Sequence, residues 1–283
     1  MARLDEPASP GETQECAQAR ICAALREWFA QPPGRWILEA ETAQLGDLLA
    51  NLFGYHLLLV DYPGCAEILE RTRVRDRVVI APPEPGGDGR VAPGHGYPVV
   101  RACADALPVA SDSVDAVLLP HVLEFETNPH QALREAERVL VPEGSVVVTG
   151  FNPWSLMGLG RVLAGLRPGV PWSGRFFSLM RMRDWSSLLG LETVHTASCF
   201  YRPPLGNRNV MSRLAGLERL GARYWRGRGA VYVLMARKRV TTLTPIRPHW
   251  RPRRGLVAPG LVKPSSRQAA ARVGWQRMNG EEH

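Results

Sequence analysis

A chain of 283 residues, 45% of them hydrophobic, is long enough for one large domain with a tail, and it contains no uninterrupted apolar run of the length a bilayer span requires. The net charge of +8 is lopsided: residues 237–283 carry +9 and the rest of the chain −1, so the body is not a uniformly basic nucleic-acid binder. Five scattered cysteines without a C-x-x-C pair indicate neither a disulfide framework nor a zinc site, and no metal is expected.

The first segment, Met1–Gln18, carries acids and no apolar core, unlike a secretory signal, so a cytoplasmic location is expected. Ile21, Leu25, Trp28 and Phe29 recur at helical spacing within 13–30, and Pro32-Pro33-Gly34 ends that helix. Leu38, Leu45, Leu48, Leu49 and Leu52 mark a second helix, closed by Gly54. Tyr55–Val60 is a short apolar strand broken at Asp61-Tyr62-Pro63-Gly64. A weak helix, Cys65–Arg71, leads to a strand at Arg77–Ile80, and Ala81–Gly96 is a Pro/Gly-rich loop.

The third strand runs from Pro98 to Cys103 and ends near Asp105. Apart from Asp115, Val114–Leu119 is apolar, as a strand covered on both faces should be, and Asp115 at its start is placed to bond loop amides. Asn128 is expected to cap a helix with Pro129 in its first turn. Ala132, Leu133, Ala136, Val139 and Leu140 line that helix's apolar face. Pro142-Glu143-Gly144 turns into strand five, Ser145–Thr149. Further on, Leu156–Leu166 is apolar, and Asp184 is expected to cap a short helix that Gly190 ends. Leu191–Cys199 and Ala230–Arg237 are two more strands around a helix near Leu214–Leu220. Alternating strands and helices favour a parallel sheet with right-handed crossovers. From 241 onward the chain is Pro/Arg-rich, a composition that buries too little to offset chain entropy, so a disordered tail is expected. It is either a solubilising extension or a contact for nucleic acid or an anionic surface.

The block A-D-A-L-P-V-A-S-D-S-V-D-A-V, then H-V-L-E, then L-R-E-A-E-R-V-L-V-P-E-G, resembles the class I S-adenosylmethionine-dependent methyltransferases of the type 11 pattern. With L-P-H-V-L-E-F, G-F-N-P-W-S-L, R-D-W-S-S-L-L-G-L and V-Y-V-L-M-A-R-K-R-V, the arrangement is similar to the YafS-like bacterial branch. The resemblance covers residues 34–240. It implies a Rossmann-like α/β sandwich, with a mainly parallel seven-stranded sheet and an antiparallel last strand. Around it stand an N-terminal helical extension (1–33) and the tail (241–283).

The implied cofactor is S-adenosylmethionine and the implied partner a small-molecule acceptor. The resemblance places the cofactor against Val60, Asp61, Tyr62, Gly64, Asp105, Ala106, Leu107, Pro120 and His121. Asp105 would accept from the adenine amino group, as suits an ionised carboxylate, and the Ala106 N–H would meet a ring nitrogen. Methyl transfer from an already activated sulfonium leaves much of catalysis to positioning. A base is needed only where the acceptor loses a proton. His121 is the candidate for that role, or a helix-start hydrogen bond, and Glu124 would share its face on a helix.

One departure from the family stands out. Where a Gly-rich loop lets backbone approach the cofactor, V-D-Y-P-G retains one glycine. The usual acid after strand two has only Glu84 as a candidate. An alternative register puts strand one at Trp36–Ala40 with Asp61 as that acid. A non-catalytic binding or regulatory protein on the methyltransferase fold is therefore the second reading.

Overall fold

A computed structural model of the chain describes residues 10–61, 65–83, 96–163, 169–204, 211, 213–225 and 227–239. Its centre is a seven-stranded sheet in the order β3-β2-β1-β4-β5-β7-β6. The strands are β1 His56–Val60, β2 Asp76–Ala81, β3 Val99–Arg101, β4 Val114–Pro120, β5 Leu140–Phe151, β6 Leu191–Cys199 and β7 Val231–Lys238. Strands β1 to β5 pair in parallel, while β7 runs antiparallel to both β5 and β6. The order reverses between β1 and β4, the switch point at which an open α/β sheet leaves a crevice for a ligand.

Helices α1 Pro10–Ala30 and α2 Gly34–Leu49 precede the sheet, and a 3-10 helix, Ala66–Arg71, replaces a full helix between β1 and β2. The remaining helices are α3 Pro129–Val139, α4 Leu156–Leu163, α5 Leu179–Leu188 and α6 Ala215–Tyr224. Two apolar clusters cover the sheet. One joins Cys22, Leu25 and Phe29 of α1 and Ile37 of α2 to Val60, Leu119, Phe151 and the apolar face of α3. The other packs Leu45 and Leu49 of α2 and Ile68 and Leu69 of the 3-10 helix on Leu59, Leu118, Val147 and Val233. Helix α1, expected as an extension, is thus part of the core, because three of its apolar positions are fully buried there.

Several local expectations need correction. Trp36–Ala40 lie inside α2, so the alternative register for strand one is excluded. Its apolar residues follow helical spacing and lack the alternation of a strand. Asn128 stands at the N-cap of α3 but makes no side-chain capping bond; its carbonyl instead receives Gln131 and Ala132 N–H. Ser178 caps α5 through its side chain, which accepts from Arg181 N–H, and Asp184 lies within the helix. The Pro142–Gly144 turn is absorbed into one long β5, where the pairing with β4 shifts register between Val114 and Ala116 and Glu143 takes φ +65°. Such an irregularity adds residues to one strand without ending it. Among the described residues no helix is long and apolar enough to cross a membrane.

Asp115 does what its place at the start of β4 suggests. Its Oδ2 accepts from the N–H groups of both Tyr55 and His56, each at 2.9 Å, pinning the entry of β1. Gly54 lets the chain pass this carboxylate: a Cβ there would run into the Asp115 side chain.

Candidate active site

The carboxyl ends of β1, β3 and β4 bring together most of the residues that the sequence singles out. Val60 is fully buried in β1. Asp61 follows it, 3% exposed, and its Oδ1 accepts from Cys65 N–H at 2.7 Å, bridging the first loop from its entry to its exit. Tyr62 and Gly64 lie outside the described residues, as does Glu84.

Beyond β3, Asp105 is half-buried and makes no hydrogen bond among the described residues, so its carboxylate remains an available acceptor. The neighbouring amides are committed. Ala106 N–H donates to Cys103 O at 3.3 Å within the turn, and Leu107 N–H donates to Glu135 Oε2 at 3.2 Å. At this end of β3 the Asp105 carboxylate is the group without a described partner.

The loop that carries Asp105 is held by α3. Arg138 donates to Leu107 O at 3.1 Å, to Val109 O at 3.0 Å and to Ser111 Oγ at 3.0 Å. Its guanidinium also grips the Glu135 carboxylate, at 2.8 Å for the shortest contact. The hydrogen bond from Arg138 holds Glu135 below the usual carboxylate range. Glu135 and Arg138 of L-R-E-A-E-R thus fix the loop after β3, a role that composition and periodicity do not reveal because it depends on a loop some thirty residues earlier.

At the end of β4, His121 occupies a left-handed conformation, φ +52°, uncommon for a non-glycine residue and maintained only where neighbours fix it. The ring is fully buried, between Phe29 and Phe151, with centroids 5.3 and 4.1 Å away. Both nitrogens face carboxylates: Nδ1 lies 2.8 Å from Glu124 Oε2 and Nε2 lies 3.1 Å from Glu41 Oε2. Glu124 Oε1 accepts the Phe151 N–H of β5. Residues 122–126 form a turn, with Phe125 and Glu126 N–H both donating to Val122 O, and this turn replaces the expected helix.

Burial alone would depress the His121 pKa, but the two carboxylates overcome it and hold the group up to about 10. Burial raises the Glu124 carboxyl against the pull of His121. His121 is therefore an imidazolium at neutral pH, with both N–H groups donated. With both ring nitrogens engaged by carboxylates, the His121 side chain ties the end of β4 to α2. Pro120 beside it is buried as well. Among the described residues no group of three is arranged to hold a metal ion.

Sequence reasoning missed Glu41. A lone acid on an otherwise amphipathic helix gives no sign of its burial, yet it is 1% exposed and its Oε1 has no hydrogen-bond partner. Asp61 after β1 and Glu41, tied to His121 at the end of β4, are buried carboxylates at the switch point, while Asp105 stands after the edge strand β3. A small pocket of about 10 Å³ is lined by Leu45, Leu59, Cys65, Ile68, Pro120 and Thr149 among others. It has room for a single water and none for a nucleoside.

Asn152-Pro153-Trp154 after β5 is a turn. Asn152 Oδ1 accepts Trp154 N–H at 3.0 Å and its Nδ2 donates to Gly227 O at 2.8 Å. Phe200 and Tyr201, after β6, are buried, and their N–H groups are taken by Glu218 at 2.9 and 3.1 Å.

Comparison with known proteins agrees with this geometry. A family model described as a methyltransferase domain matches residues 87–148. The YafS protein of Escherichia coli K12, itself described as uncharacterized, is 35% identical over 218 residues, 77% of this chain and 82% of its own. A Mycobacterium tuberculosis protein, Rv2003c, is 28% identical over 193 residues, 66% of this chain and 64% of its own. The fold matches a solved S-adenosylmethionine-dependent methyltransferase from Thermotoga maritima at a TM-score of 0.58 and 21% identity, covering 78% of this chain and 97% of that one. Strand order, the fixed loop after β3 and a long match to YafS converge: the chain belongs to the YafS-like branch of the class I S-adenosylmethionine-dependent methyltransferases.

Proposed function

We propose that this protein transfers the methyl group of S-adenosylmethionine to a small-molecule acceptor, with the cofactor lying across the carboxyl ends of β1, β3 and β4. The observation that carries this assignment is the half-buried Asp105 carboxylate at the end of β3, without a described partner, on a loop that Glu135 and Arg138 hold in place. A carboxylate kept open by its own scaffold suits an exocyclic amine donor.

The charge around the switch point fits the same cofactor. S-adenosylmethionine supplies a sulfonium carbon open to in-line displacement and carries an ammonium group besides. Asp61, directly after β1, is the acid that would face this cationic part. Asp61 also bridges its loop to Cys65, so the backbone around a bound methionyl group is shaped from within the loop. His121, charged and tied to Glu41 and Glu124, holds α2 against β4 without exchanging protons during turnover. With no free base at the end of β4, the chemistry rests on alignment of an acceptor that is already nucleophilic.

Calorimetry with S-adenosylhomocysteine tests the assignment. Binding is expected, and Asp105→Ala should weaken it about tenfold, the worth of one hydrogen bond to a charged group. No binding by the wild-type chain at millimolar ligand would favour the second reading, a non-catalytic binding protein whose glycine-poor first loop does not admit a cofactor. Wild-type binding with unchanged affinity in Asp105→Ala would remove only the role of Asp105.

A further inference from the structure

The carboxyl edge of the sheet carries a second feature that methyl transfer does not require. Trp154, in the turn after β5, is 75% exposed, and Tyr224 and Trp225, at the end of α6, are 70% and 50% exposed. These segments are tied together: the Asn152 side chain that shapes the Trp154 turn donates to Gly227 O at 2.8 Å, and Arg228 N–H donates to Trp225 O at 2.9 Å. Leu220 stands one turn before Tyr224 on α6 and is also exposed, as are Leu156 and Leu159 on α4.

The inward face of α6 is already satisfied. Glu218 accepts the Phe200 and Tyr201 N–H groups and pairs with Arg202, and Gly221 abuts the Tyr201 ring. What faces solvent is an apolar strip of Leu220, Tyr224 and Trp225 flanked by the exposed Arg213, Arg223 and Arg228. The only acid described on that helix is the one turned inward.

We propose that this rim is an interfacial surface that docks onto an anionic lipid bilayer. Amphipathic rings with a polar tip settle at the headgroup boundary. A helix with apolar residues on its outer strip and arginines beside them has the composition of one lying in the interface plane. Cationic flanks are attracted to anionic headgroups over roughly a Debye length. A neutral apolar partner would leave the three arginines without counterparts, and a nucleic acid would leave the aliphatic residues of α4 and α6 in water.

The test uses the full chain with vesicles of phosphatidylcholine alone and of phosphatidylcholine mixed with phosphatidylglycerol, at physiological salt. Co-sedimentation with the mixed vesicles and little with phosphatidylcholine alone is expected, together with quenching of tryptophan fluorescence by brominated acyl chains. The triple variant W154S/Y224S/W225S changes exposed side chains only. It should keep the wild-type circular dichroism and urea midpoint while losing vesicle partitioning by on the order of tenfold or more. R213Q/R223Q/R228Q should reduce partitioning to mixed vesicles and reduce its salt dependence. The idea is overturned if the folded triple variant partitions like the wild type, or if wild-type binding is equal on the two vesicle types. It is likewise overturned if duplex DNA competes the binding away while the aromatic substitutions leave it intact, which would assign the attraction to charge alone. A dimer that dissociates on the triple substitution, without vesicle binding, would make the rim a contact between copies.

Discussion

The Nε2 of His121 lies 3.1 Å from Glu41 Oε2, joining the end of β4 to a helix eighty residues earlier in the chain. Neither group has access to water, so the pair stands or falls as a unit. Replacing His121 by Gln leaves two carboxylates, Glu41 and Glu124, buried without their shared cation. Loss of about 3–5 kcal/mol is expected in urea unfolding, the usual cost of removing one partner from a buried charge pair. Adding Glu41→Gln to H121Q should restore part of that loss, because it removes the unpaired charge. A double variant no more stable than H121Q would show that the pair is not the source of the effect.

The same cluster sets a pH dependence. The His121 pKa rises from an ordinary 6.5 to about 10 in the folded chain, so the folded state holds a proton that the unfolded chain releases. The contribution is complete below pH 6.5 and fades as pH climbs through 10, with a slope of about 1.4 kcal/mol per pH unit between them. Glu124, also raised on folding, acts in the same direction at lower pH. Urea midpoints measured from pH 6 to 10 should fall for the wild type and fall much less for H121Q. Parallel curves for the two proteins would refute the assignment of the charge to His121.

Much of the fold was legible in the chain because its elements are local. Apolar runs such as Leu57–Val60 and Ala116–Leu119 are buried on both faces and have no other use, and Gly190, with φ +74°, ends its helix as glycine does in the left-handed region. Asp115 was legible for a similar reason: an acid opening a buried strand has few partners besides nearby amides. The position of Asp105 just beyond β3 was legible because it depends on one strand end. The candidate site was opaque where it depends on distant pairing. Nothing in the periodicity of α2 marks Glu41 as buried, and nothing in P-H-V-L-E tells a base from a pinned imidazolium until both carboxylates are in place. The capping residue of α5 was misjudged because Asp184 and Ser178 are both good caps; the choice was made by where the preceding loop enters the helix.

Arg138 offers a way to separate loop order from fold stability. Its guanidinium spans Glu135, Leu107 O, Val109 O and Ser111 Oγ, yet α3 is anchored by the buried Ala132, Leu133, Ala136 and Val139 on its other face. Arg138→Ala should therefore cost little in the urea midpoint while raising the dissociation constant for S-adenosylhomocysteine about tenfold, since the loop carrying Asp105 must then be ordered by the ligand itself. Arg138→Lys should recover only part of this affinity, because an ammonium cannot reproduce the fork that reaches several oxygens at once. Wild-type affinity in R138A, with the chain folded, would show that the loop needs no such brace.

Cysteine chemistry supplies a readout of the adenine position that does not depend on turnover. Burial holds the Cys22 thiol up to about 12 and the Cys65 and Cys199 thiols well above their ordinary value, so none of these is an effective thiolate at neutral pH. Cys103 is the partly exposed member of the described set and stands two residues before Asp105. Among these four, iodoacetamide should label Cys103 first, as peptide mapping would show. If the adenine rests on Asp105, saturating S-adenosylhomocysteine should slow that labelling about tenfold or more, and Asp105→Ala should return the rate toward the unliganded value at the same ligand concentration. Calorimetric binding by the wild type with an unchanged Cys103 rate would put the base away from the end of β3, and the site would then have to be built at the end of β1, beside Asp61.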